Sequence, residues 1–173
     1  MDKQAEAALK RAIGMLEAIL VRQTEIHREM LRVAEDKQQS IIKGDLEQLE
    51  KSVSEEKKIV ARVEEEEEKR KAVMPLVLQG LGAPAGVEKL ADVIALMPEP
   101  EREHMTAVRA ELKEVLEAAQ IKTRHNSELL KASLEHVESF LRAISDAATP
   151  NKTYGNDGGK RPGGGPSIID RSA

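Results

Sequence analysis

The side chains able to do chemistry are numerous, and their spacing rules out most of the chemistry they suggest. Four histidines stand at positions 27, 104, 125 and 136. Histidines that share a metal on one helix usually sit four residues apart, and no two of these do. His125 and His136 are eleven residues apart, roughly 16 Å along a helix axis, which is too far to hold one ion. Five consecutive glutamates, Glu64 to Glu68, offer negative charge in quantity. Successive helical residues point all around the axis, so the five cannot converge on a cation and read as a solvated face. Gly163 to Gly165 has no helix after it and cannot cradle a phosphate. There is no cysteine, hence no disulfide, thiolate metal site or cysteine nucleophile. No enzyme, metal centre or cofactor is expected from this inventory.

A polar residue in an apolar stripe and an isolated aromatic carry more information. Asn126 interrupts the apolar positions between Ala119 and Leu129. In a helical seam such an asparagine costs stability and fixes register; on an outer face it is free to bind a partner. Both readings stand on sequence alone. Gln23, Thr24 and His27 lie midway along the first helical stretch, so on the seam reading they could meet Asn126 in a shared polar layer. Tyr154 is the single tyrosine, in a segment rich in glycine and proline. Aromatic anchors dominate short-motif binding. Ser167-Ile168-Ile169-Asp170 is a weaker motif of the same kind.

The elements that must position these residues are helices. Of 173 residues, 40% are apolar and 34% charged, with one Phe, one Tyr and no Trp. Such a composition suits narrow helix-to-helix seams better than a thick core. Leu9, Ile13, Leu16 and Leu20, then Met30, Leu31, Ala34, Ile41 and Ile42, predict one helix over about 4–43. Gly44 can take the left-handed conformation that ends it, and Asp45 can cap the next, with Gln48 placed to complete a capping box. This short connection predicts an antiparallel hairpin. Leu46, Leu49, Val53, Val60 and Val63 carry the second helix, which Pro75 should kink or interrupt, with Leu76, Val77, Leu78 and Leu81 able to continue it briefly before Gly80, Gly82, Pro84 and Gly86 end it. A short third helix is predicted over Val87 to Met97, and a fourth from about Glu101 to Ala147. The expected fold is all-α: an elongated antiparallel hairpin or coiled-coil bundle of three long helices plus one short one.

The domain reading is a helical body over 1–148 and a flexible tail over 149–173. The tail holds six of the eleven glycines and three of the seven prolines, and cannot bury enough apolar surface to order itself. Lys152, Lys160, Arg161 and Arg171 against Asp157 and Asp170 give it a charge of +2, so the body carries −6 of the net −4. An acidic body argues against nucleic acid as partner. The longest apolar run, Ala72 to Leu78, is far short of the roughly 20 residues that span a bilayer. Charged, periodic sequence follows Met1 to Gln4, unlike a signal peptide. No membrane insertion is expected, and a cytoplasmic location is the simplest reading.

Three features in order resemble the FlgN family, the flagellar export chaperones for hook–filament junction proteins. The first is Ile41-Ile42-Lys43-Gly44-Asp45 followed by Leu46 and Leu49. The second is Asn126-Ser127-Glu128-Leu129-Leu130 with the leucines after it. The third is Thr153-Tyr154-Gly155 with Gly158 close behind. Together they cover about residues 1–158, while the Met74-Pro75 region and the chain past Gly159 depart from the family outline. The resemblance implies a chaperone that binds the C-terminal helices of hook-associated proteins and delivers them to the cytoplasmic domain of the export gate. It implies client contacts at Asn126, Leu129, Leu130, Leu134, Val137 and Leu141, and an export-gate contact at Tyr154. A homodimer through the same stripes is a further partner the pattern allows. A structural coiled-coil adaptor with no cargo role is the competing reading.

Overall fold

The computed structural model describes residues 3–148; the expected tail and Tyr154 lie outside the described residues. Four helices follow in order: α1 (Lys3–Lys43), α2 (Leu46–Leu81), α3 (Leu90–Ala95) and α4 (Glu101–Ala148). No strand occurs among the described residues. The chain divides into two units, Met1–Glu135 and His136–Ala173.

Within the first unit, the turn between α1 and α2 forms as its sequence requires. Gly44 has φ +67°, a conformation that only glycine takes without strain. Its N–H donates to Ile41 O at 3.2 Å and the Asp45 N–H donates to Ser40 O at 3.0 Å, closing the last turn of α1. Asp45 Oδ1 then accepts from the Gln48 N–H at 3.0 Å and starts α2. Ion pairs fix the antiparallel register of the hairpin. Lys37 meets Glu56 and Glu29 meets Arg62, each at 2.6 Å, so residue numbers fall on α1 as they rise on α2. Against α4 they rise together: Glu17 meets His104, Arg28 meets Glu111, and Gln38 meets Lys122. In this unit α4 therefore runs parallel to α1.

The main core joins all four helices: Leu9, Ile13, Leu16 and Leu20 with Val73 and Val77, Val93 and Met97, and Met105, Val108 and Leu112. A second, smaller cluster of Ile26, Val33 and Ile59 belongs to α1 and α2 alone. Four buried positions of α2 recur every seven residues: Ser52, Ile59, Glu66 and Val73. Such a seven-residue repeat is the spacing of a coiled-coil seam.

Three expectations are corrected here. Pro75 does not interrupt α2, which takes the continuation the apolar residues after it allowed, runs to Leu81 and ends at Gly82 with φ +61°. The proline forfeits one backbone hydrogen bond, but Val73, Met74 and Val77 on either side are buried in the main core and hold the turn. The third helix is shorter than predicted. Its N-terminus at Lys89 has no side-chain cap, and Leu96 and Met97 close it with three-residue bonds to Val93 O and Ile94 O. The glutamate run is not wholly solvated. Glu66 is only 6% exposed because it occupies a seam position of the seven-residue repeat.

Candidate partner-binding surface

The charged run resolves into a ladder along α2. Lys69 bridges Glu65 and Glu66 at 2.7 and 2.9 Å, Arg70 grips Glu67, and Lys71 reaches Glu68 at 2.7 Å. Hydrogen bonds from Lys69 and Arg70 hold the carboxyls of Glu65 and Glu67 below the ordinary carboxylate range. Buried Glu66 also faces Arg22 of α1 at 3.5 Å. These groups neutralise one another across and along the hairpin, and no group of three or more metal-ligating residues forms among the described residues. No described helix is long and apolar enough to cross a membrane.

The polar layers predicted to meet do not. Gln23 donates to Glu67 of α2 at 3.4 Å. The Thr24 hydroxyl donates to Leu20 O at 2.9 Å, and His27 Nδ1 lies 2.7 Å from Gln23 O. Asn126 is buried further along, where its Nδ2 donates to Ala34 O at 2.7 Å. The cause is the register of α4. It enters with His104 beside Glu17 and runs parallel to α1, so by Asn126 it has passed the polar layer by nearly three turns.

A shallow groove of about 690 Å³ lies between α1 and α2, floored by Gly14, Ala18, Ile19, Ala72 and Val73. It is almost wholly apolar, and two of its rim cations, Arg22 and Lys69, are already paired with Glu66 and Glu65.

The residues expected to touch a client fall into three groups. Asn126 is inside the seam. Leu129 and Leu130 are half-buried. Leu134, Val137 and Leu141 are exposed, at 60%, 51% and 59%. Two neighbours outside that set belong with them: Phe140 and Ile144 are equally open. In the second unit alone, Val137, Phe140, Leu141 and Ile144 stand at i, i+3, i+4 and i+7 on one helix face. Every described residue there whose side chain is placed, 136–147, is exposed. The sequence runs Phe140 and Ile144 in the same apolar stripe as Leu134, Val137 and Leu141, and only the contacts implied by the family resemblance leave them out. A contiguous apolar stripe left in water marks an interaction surface, and on a helix it suits another helix.

The family model described as FlgN protein matches residues 12–162. No curated protein matches, and no solved structure does. The match takes in all of α2, α3 and α4 and most of α1, so the turn at Gly44-Asp45, the Asn126 segment and the open stripe all fall inside it. The chain belongs to the FlgN family of flagellar export chaperones.

Proposed function

We propose that this protein binds the disordered C-terminal segments of hook-associated, hook–filament junction proteins in the cytoplasm, keeps them unassembled and delivers them to the export gate. The observation that carries the reading is the stripe of Val137, Phe140, Leu141 and Ile144, four large apolar side chains at helical spacing that no other described residue covers. Each is worth about 1.5–3 kcal/mol when fully buried, so the four supply roughly 6–12 kcal/mol gross. Folding a disordered client segment onto the stripe consumes roughly 2–5 kcal/mol, and association entropy takes more. Affinity is then no tighter than about micromolar. A carrier that must give up its cargo without spending ATP of its own needs that range. Tyr154 is the proposed contact with the cytoplasmic domain of the export gate.

The test is calorimetric titration of the full chain with the C-terminal segment of a hook–filament junction protein. Binding should vanish in the double variant Leu134→Asp, Leu141→Asp, with helicity and melting temperature retained. A variant that keeps its binding removes the stripe from the interface. A chain that sediments as a tight dimer and ignores the segment is a structural adaptor. Tyr154→Ala should keep client binding and lose capture by the gate domain.

A further inference from the structure

In the first unit, α4 is anchored strongly at one end only. Its large buried apolar side chains are Met105, Val108 and Leu112. The second hydrophobic cluster, level with the later part of this segment, takes no residue from α4. From Ala119 to Glu135 the helix buries only Ala119 and Asn126, with Leu129 and Leu130 half-buried one turn on. Asn126 is 1% exposed, and its Nδ2 donates to Ala34 O across 92 residues of sequence. Its Oδ1 is buried without a hydrogen-bond partner among the described residues. An apolar side chain at this seam position would avoid the cost of burying that unpaired carbonyl. The attachment is thus specific in geometry and low in strength.

We propose that Asn126 is a releasable clasp, which docks the 119–135 stretch of α4 on the α1–α2 hairpin and, when it opens, uncovers Leu129 and Leu130 for a client. The proposal rests on the client-binding role given above for the function, and it assigns Asn126 a positioning part in place of a direct contact. With the clasp closed, Leu129 and Leu130 are half-covered. Opening it uncovers the two leucines at the cost of the Asn126 bond to Ala34 O, the part-buried Lys122–Gln38 bond at 3.2 Å and the packing of Ala119.

The chain has no cysteine, so a single Leu130→Cys reports exposure of this stretch through its rate of thiol labelling. Asn126→Asp removes the donor and sets a carboxylate against Ala34 O; labelling should quicken about tenfold, the equivalent of one buried hydrogen bond lost. Asn126→Leu seals the seam with apolar contact, and labelling should slow. Asn126→Met, whose unbranched chain adapts to tight surroundings, guards against a leucine that does not fit. Affinity for the junction-protein segment, measured on the same Asn126 variants with Leu130 intact, should follow: tighter for Asn126→Asp, weaker for Asn126→Leu and Asn126→Met. Labelling that is unchanged, or that moves the same way in the aspartate and apolar variants, overturns the clasp. Affinity lost in all three variants makes Asn126 a client contact and likewise overturns it. A parent chain that never binds the segment sinks the client-binding role, and the labelling rates then decide the clasp by themselves.

Discussion

Met105, Val108 and Leu112 near the start of α4, and Val137, Leu141 and Ile144 near its end, recur at the same three- and four-residue spacings. The first three are buried among Leu9, Leu16, Val77 and Val93; the second three are half or more exposed. Periodicity shows that a helix has an apolar face, and it does not show who covers that face. The first region has its cover within the chain, in the α1–α2 hairpin and α3. The second has none among the described residues, and a partner helix is what such a face accepts. On the proposed function the contrast separates stability from binding: one stripe holds the fold, and the other is left for a client.

Substitutions sharpen that division, beginning with the deepest positions. Leu16→Ala and Leu20→Ala empty fully buried sites and should each cost about 2–5 kcal/mol in denaturant unfolding, while Leu141→Ala costs less than about 0.5 kcal/mol. Equal losses at the three positions would erase the distinction. Phe140→Ala should weaken the junction-protein segment by about tenfold or more in titration and leave the melting temperature where it was. A melting temperature that falls with it would make Phe140 part of the fold. Asp45→Ala removes the cap of α2 and should cost about 1 kcal/mol of stability with no change in client affinity.

The smallest effect lies in the charge ladder. Hydrogen bonding to Arg70 depresses the carboxyl of Glu67, so its contribution is present above the ordinary carboxylate pKa and fades as pH falls through the depressed value. Glu67→Gln should therefore cost under about 1 kcal/mol at neutral pH, since the pair is partly open to solvent, and nothing in strong acid. Urea melts at two pH values check the sign. A deficit that grows in acid would contradict the pairing.

Much of the fold was legible in the chain because the local signals agreed. Gly44 and Asp45 announce the hairpin turn with residues whose conformational and capping preferences have few other uses. The stripes of α1 and α4 are long enough for their period to be unmistakable. Pro75 misled because a local rule was overridden by packing on both sides of it. Glu66 was hidden by its neighbours: in a row of five identical residues the eye sees charge, while the seven-residue repeat through Ser52, Ile59 and Val73 shows which one turns inward. The partner of Asn126 was illegible for a different reason. The offset of α4 against α1 is set by the loops and by α3, and no pattern within either helix encodes it. The open stripe was legible as apolar, but periodicity within one helix does not say whether anything packs on its face.

Hydrogen exchange on the full chain, with and without the C-terminal segment of a hook–filament junction protein, tests the central claim most directly. The account predicts new protection along α4 between about Leu129 and Ala147, with the amides around Leu16, Leu20, Val77 and Met105 unchanged. Protection confined to the hairpin, or an exposed stripe whose amides stay as fast with the segment as without it, would contradict the account.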